Sequence, residues 1–275
     1  MVAVVKNSCG QTITQYNVQT GDSVNNLNQV APAASGTVLT SNGVASQPSF
    51  QSISSPSPSS TVSIKDDFIV LTAISANTYN SELCWNVTGT ISGTPALDAG
   101  HPGIVGNASL GAGAVYALTS TTNSTQMIFG GGILSCNWVF KINTLSDVTN
   151  TYGFAIGMTD FSGTADMTNG VYFRYSSATN SGNWQIVTAA ASVRTTTNSA
   201  VAATTGWHNA GFIMNAAGNS VEFFMDGVSL GTITTNIPTA QIAPSFTLAR
   251  TAGTIAAQSL NFDLMYLTQT LTVAR

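Results

Sequence analysis

The chain has 275 residues, room for one large all-β domain with an extension, since sandwiches reach about 250 residues as single units. Only 7% of the residues are charged and the formal net charge is −4, so there is no basic footprint for phosphate backbones, and nucleic acid is disfavoured and not expected as a partner. No apolar run reaches the roughly 18 residues of a membrane-spanning helix, so membrane insertion is not expected, and the polar surface must be built from Ser, Thr, Asn and Gly.

In chain order, the start Met1-Val-Ala-Val-Val-Lys-Asn-Ser has too short an apolar run, with no basic region before it, to read as a secretory signal. A protein of this kind is expected outside a cell only by lysis or within a particle. Residues 1–60 carry almost no aromatic side chains beyond Tyr16 and Phe50 and too little alternation to sustain a core, so 1–53 is predicted to be an arm. Gly36 and Gly43 bracket a small apolar strand, Thr37 to Leu39, which is expected to gain stability by pairing with copies of itself. The stretch from Asn26 to Phe50, NLNQVAPAASGTVLTSNGVASQPSF, resembles a segment that recurs in bacteriophage tail-fibre proteins between the virion-attachment end and a distal module. That resemblance implies a homotrimer whose arm docks on capsid or tail proteins. Residues 54–61, SSPSPSST, form a Pro/Ser linker spanning on the order of 25 Å.

From residue 62 to 275 strand signals recur about every ten residues, separated by Gly, Asn, Ser and Pro clusters, the rhythm of a sandwich. Strands are predicted near 68–73, 82–90, 126–129, 133–142, 152–158, 170–175, 184–188, 211–214, 221–225, 229–234, 245–249 and 260–267, the first paired with the last, and helix is nearly absent. Gly206 to Thr234 reads as a three-stranded meander. Ala210, Phe212 and Met214 share one face of its first strand, and Val221, Phe223 and Met225 one face of its second. Ala217-Gly218-Asn219 makes the first turn and Asp226-Gly227 a type I′ second turn, with Trp207 predicted to be buried at the start. A tryptophan opening a strand, then a turn and an aromatic strand ending in Asp-Gly, resembles the hallmark of concanavalin A-like lectin and laminin-G sandwiches. The blocks NGVYFRY (169–175) and GNWQIV (182–187) resemble domains of that superfamily on phage appendages. The implied fold is an all-β jelly roll preceded by an extended arm. Cys9, Cys84 and Cys136 have neither zinc spacing nor an even disulfide framework; free buried thiols outweigh a Cys84–Cys136 bridge.

Lectin-like jelly rolls also house glycosidases that work with two carboxylates. The only glutamates, Glu82 and Glu222, are far apart in sequence, with no Glu-x-Asp-x-x-Glu strand, so no enzyme activity is expected. His101 and His208 have neither a metal-pair spacing nor a hydrolase signature, and a structural role is expected for His208. Asp160 and Asp166 share one loop and have oxygens suited to calcium, but solvated Asx turns are the weightier reading, so no metal or cofactor is assigned. In Tyr172-Phe-Arg174-Tyr175 alternation sends Tyr172 and Arg174 to one face and Phe173 and Tyr175 to the other. Tyr172, Arg174 and Tyr175, with Asp160 and Asp166, are the candidate ligand-binding residues, for sugar stacking or for an intersubunit face. The sequence is thus expected to encode a virion appendage, a short tail fibre, head fibre or capsid decoration, that displays a jelly roll to host-surface glycans. A secreted carbohydrate-binding module or adhesin fragment is the alternative.

Overall fold

Alternation of apolar and polar side chains is translated into antiparallel strands most plainly at Gly132–Ile142 and Val221–Met225, each burying every second residue. The computed structural model describes residues 60–68, 127–160, 166–250 and 260–274 continuously. Elsewhere it describes the backbone of the strands named below and a few isolated positions, with side chains that include Leu39, Phe50, Trp85, Asp98 and His101. Residues 69–73, Glu82 and the side chains of Cys9 and Cys84 lie outside the described residues.

The chain divides into two compact units, 1–58 and 59–275, at a point inside the Pro/Ser stretch. Among its described residues the first unit contains three antiparallel pairs: β1 (Val5–Lys6) with β2 (Thr12–Ile13), β3 (Val18–Gly21) with β4 (Leu27–Val30), and β5 (Thr37–Thr40) with β6 (Ser49–Ser52). Thr37–Leu39, expected to pair with copies of itself, lies in β5 and pairs along one edge with Ser49–Ser52 of the same chain, with Leu39 opposite Phe50; closing so short a loop costs little entropy. Asn42 clips this hairpin, donating to Ser49 Oγ at 3.0 Å and accepting from Gln51 Nε2 at 2.8 Å.

The second unit begins with β7 (Thr61–Asp66), β8 (Thr78–Asn80), β9 (Cys84–Thr88), β10 (Thr94–Asp98), β11 (His101–Gly106) and β12 (Val115–Thr119). It continues with β13 (Gly132–Ile142), β14 (Tyr152–Thr159), β15 (Gly170–Ser176), β16 (Asn183–Ala190) and β17 (Val193–Ala202). The meander is β18 (Gly206–Met214), β19 (Val221–Met225) and β20 (Val228–Ile233), followed by β21 (Ala243–Arg250) and β22 (Leu260–Leu271). Sheet I runs β10-β11-β22-β13-β18-β19-β20, with β7 also on β22; sheet II runs β17-β16-β15-β14-β21-β12-β9-β8. Every pairing is antiparallel, as a jelly roll requires.

The sheets face each other through aromatic pairs: Phe246 with Phe262 at 4.6 Å between centroids, Phe173 with Phe223 at 5.2 Å, Trp85 with Trp138 at 5.7 Å and Phe140 with Phe154 at 5.9 Å. Each of these rings is at most 3% exposed, so the pairs combine large apolar burial with tilted or edge-on ring geometry. A register shift in β22 opposite Val139 and Phe140 leaves Asp263 as an extra residue, which lets Phe262 and Met265 both face the core.

The first described strand of the sandwich pairs with the last, but it is Thr61–Asp66, upstream of the predicted 68–73. Asp66 ends it. Its carboxylate, fully buried, accepts from the Phe68 backbone N–H and from Trp85 Nε1, both at 2.7 Å, and Phe68 turns away at φ 51°. The predicted strand at 126–129 reduces to one bridge, Met127 to Ile242. In the meander Ala210, Phe212, Met214, Val221, Phe223 and Met225 are all buried, and Asp226-Gly227 has the positive φ pair of a type I′ turn, 52° and 79°. Trp207 is a second correction: the same period of two that buries Ala210 points it outward and turns His208 inward. His208 donates from Nδ1 to Asp226 Oδ2 at 2.7 Å and packs against Phe140 and Trp184, the structural role expected of it.

Two outcomes follow from these buried groups. Asp66→Ala strands the Trp85 and Phe68 donors in the core and is expected to cost about 3 kcal/mol, read as a lower urea midpoint at unchanged m. Cys136 is a free thiol, fully buried, so no Cys84–Cys136 bridge forms, and burial pushes its pKa up to about 12 despite a contact with Trp138 that lowers it. Because the unfolded thiol ionises near 8.5, its stabilising contribution is whole below about pH 8.5 and is lost as pH rises towards the folded value. Iodoacetamide at about pH 8, followed by peptide mass mapping, is expected to leave Cys136 unlabelled in the native chain and to label it in urea.

Candidate functional site

On β15 alternation places Tyr172 and Arg174 on the outer side of sheet II and Phe173 and Tyr175 in the core. Tyr175 is 2% exposed and its hydroxyl accepts from the Ser146 backbone N–H at 3.1 Å, so its ring cannot stack on a ligand; that candidate is corrected. Tyr172 is also buried, in a small outer cluster with Ala155, Met167, Val187 and Ala189. Asp166 approaches Arg174 Nη1 at 3.3 Å and Arg194 Nε at 3.6 Å. Asp160 accepts from Asn169 Nδ2 at 2.8 Å, while its Oδ1 is buried without a partner. The two aspartates thus serve different partners. Among the described residues no three metal-ligating side chains converge.

Sequence reasoning missed the outer face of sheet I. Ladder register lines up Phe224, Gly211, Asn137, Tyr266 and Lys65 across β19, β18, β13, β22 and β7. The next row carries Glu222, Ile213, Ser135, Thr268 and Ser63. Phe224 and Tyr266, three strands apart, stand roughly 14 Å from each other and bracket a low point, because Gly211 has no side chain and Asn137 lies over it. An added Cβ at Gly211 would meet Asn137 Oδ1 at 2.3 Å. The result is a depression of about 140 Å³ lined by Ser135, Asn137, Asn209, Gly211, Ile213 and Phe224, beside a more open one of about 340 Å³ reaching Glu222 and Thr232. Its polar groups are mainly amides and hydroxyls. The nearest charges are spoken for, Lys65 by Asp67 at 2.6 Å and Glu222 by Ser229 Oγ at 2.9 Å. The signal in the sequence was the outward half of the period-two pattern: beside Lys141 and Glu222, the outward positions of β13, β18 and β19 hold Ser135, Asn137, Asn209, Gly211 and Phe224.

The same face ends in a cluster that pins the β10–β11 hairpin. Trp207 stacks on His101 at 3.8 Å; Asp98 Oδ2 accepts from Lys141 Nζ at 2.6 Å and Trp207 Nε1 at 3.1 Å; His101 Nδ1 donates to Asp263 Oδ2 at 2.8 Å. The residue that makes the β22 bulge thus also anchors the hairpin.

Residues 101–265, more than half of the chain, match the family described as SO2946-like, C-terminal domain, and the chain belongs to that family. No curated protein matches the chain in sequence. Among solved structures, the carbohydrate recognition domain of Emp47p is similar with a TM-score of 0.50 at 10% identity, covering 75% of this chain and 95% of that one. Peanut lectin in complex with a nine-residue peptide is similar with a TM-score of 0.50 at 13% identity, covering 78% and 99%. The likeness establishes the lectin-like jelly-roll fold. Among the described residues no helix is long and apolar enough to cross a membrane.

Gly211→Val tests the geometry of the depression. The clash is with the far end of one flexible side chain, and valine suits a strand better than glycine, so thermal stability is expected to stay within about 1 kcal/mol of the parent, by calorimetry, while the depression fills.

Proposed function

We propose that the chain is a non-enzymatic appendage protein on the surface of a bacteriophage particle, whose jelly roll holds a neutral glycan of the host surface on the outer face of sheet I. The carrying observation is the row Phe224–Gly211–Asn137–Tyr266: two half-exposed rings with an amide-floored dip between them. Aromatic faces stack on the apolar faces of sugar rings, and amides and hydroxyls exchange hydrogen bonds with sugar hydroxyls at little desolvation cost; charge is not needed. The fold is one that Emp47p uses for carbohydrate recognition. The arm, 1–53, fastens the protein to capsid or tail proteins and assembles it as a homotrimer, a reading supported by the resemblance of Asn26 to Phe50 to tail-fibre segments. Three linked copies turn a weak single site into useful avidity.

The test joins a glycan array with calorimetry and particle attachment. Full-length protein is expected to bind neutral glycans weakly per site, and Gly211→Val or Phe224→Ala to weaken that binding by about tenfold or more, roughly 1.4 kcal/mol. The full chain, but not 59–275, is expected to reattach to particles lacking it. Glycan binding without attachment points to a secreted module or adhesin fragment; a failure to bind any glycan overturns the assignment of the sheet I face.

A further inference from the structure

The outer side of sheet II carries an imbalance that the neutral-glycan reading does not use. Arg174 on β15 and Arg194 on β17 both turn towards a single carboxylate, Asp166, at 3.3 and 3.6 Å, longer than the roughly 2.7–2.9 Å of a well-formed guanidinium–carboxylate bond. Beneath them Tyr172, 1% exposed, has a hydroxyl with no hydrogen-bond partner, and Arg194 Nε is likewise buried and unpartnered at hydrogen-bonding distance. Arg194 lies against the phenol, near enough to act on its titration, but not in hydrogen-bond geometry. Burial first, then the Asp166 charge, raises the Tyr172 pKa against the pull of Arg174 and Arg194, so the phenol stays a neutral donor. Unsatisfied buried donors are costly and rare in native proteins. Here the Tyr172 hydroxyl meets two guanidiniums, those of Arg174 and Arg194, one of which holds the other unsatisfied donor; their side chains are 25% and 28% exposed and therefore within reach of a ligand.

We propose that Arg174, Arg194 and Tyr172 form a carboxylate-receiving site for an acidic sugar, in which the Asp166 side chain is a resident that the ligand displaces. The sugar carboxylate accepts from Arg194 Nε and Tyr172 Oη and bridges to Arg174. Asp166, 48% exposed, swings into water. Asn198 and Thr179, at the exposed edge of the same network through Gln185, meet the ring hydroxyls. A free carboxylate is the shared chemistry, and the choice of a sugar rests on that amide and hydroxyl rim.

The full chain is titrated with glucuronate, glucose and acetate, followed by NMR chemical shifts and calorimetry. Glucuronate is expected to bind better than acetate, with glucose silent at these residues. Tyr172→Phe is expected to keep or raise thermal stability, since it removes an unsatisfied buried hydroxyl, and to weaken glucuronate by about fivefold. Asp166→Asn is expected to strengthen glucuronate by about threefold or more, by removing the competing charge. Gly211→Val, on the other sheet, is expected to leave glucuronate unchanged. An Asp166→Asn variant that melts lower and binds no better shows that Asp166 only pins its loop and overturns the proposal. Acetate binding as tightly as glucuronate overturns the sugar assignment, and loss of glucuronate binding in Gly211→Val places the site on sheet I instead.

Discussion

A strand offers its side chains to two sides in strict turn, and in this protein the aromatic layer between the sheets decides which side every residue takes. Phe246 against Phe262, Phe173 against Phe223 and Trp85 against Trp138 fix the register of both sheets, because slipping any one strand by a residue would drive a ring into water and a Ser or Asn into the core. Phe224 and Tyr266 stand outward for that reason alone. The candidate glycan face is therefore a by-product of core parity, shaped further by a glycine where the fourth side chain of the row would stand. Where parity had to be broken, at Asp263, the extra residue gained a partner in His101 instead of being left bare.

Buried polar groups do the complementary work at the corners. Asp66 closes the turn after β7 and reaches across to Trp85 in the other sheet, so one carboxylate binds a turn to a core indole. His208 occupies an inward position that an apolar residue would fill more cheaply, and its bond to Asp226 ties the type I′ turn back to β18. Near Ser146, Tyr175 accepts from the backbone N–H and Tyr152 donates to the Thr144 carbonyl, so two tyrosines of the core carry their hydroxyls to the loop that follows β13. Such bonds add modest net stability when made and cost much more when one partner is removed, which makes them fix geometry more than they drive folding.

The all-β class, the meander with its Asp-Gly turn and most long strands were legible because their apolar residues alternate. What was lost had no such alternation. β17 reads Val-Arg-Thr-Thr-Thr-Asn-Ser-Ala-Val-Ala and buries only Ser199, so its strand signal was β-branching and not hydrophobicity. Trp207 was misplaced because a tryptophan was assumed to belong inside, although the phase set by Ala210 and Phe212 already sent it out. Tyr175 was misjudged in the opposite sense: alternation separated it from Tyr172, but could not tell which of the two faces met the other sheet. The sheet I face was invisible for another reason. Its residues come from five strands, and only the ladder register, which one sequence does not disclose, sets Phe224, Asn137 and Tyr266 in a row.

Scarcity of charge gives the few ionic contacts their meaning. With seven Lys and Arg among 275 residues and a net charge of −4, a random patch of this surface is expected to be neutral or faintly acidic. Lys65 and Lys141 follow that expectation, each facing an aspartate at 2.6 Å. Arg174 and Arg194 do not: two of the seven cations stand on one sheet face, share Asp166 at 3.3 and 3.6 Å and cover a phenol whose hydroxyl makes no hydrogen bond of good geometry. Loop pinning alone needs a single arginine at ordinary distance. Here two arginines, each also tied elsewhere, Arg174 to Gln185 and Arg194 to the Met167 carbonyl, face the same carboxylate. On the proposed readings the two sheets divide recognition by chemistry: stacking and neutral hydrogen bonds on one, charge on the other.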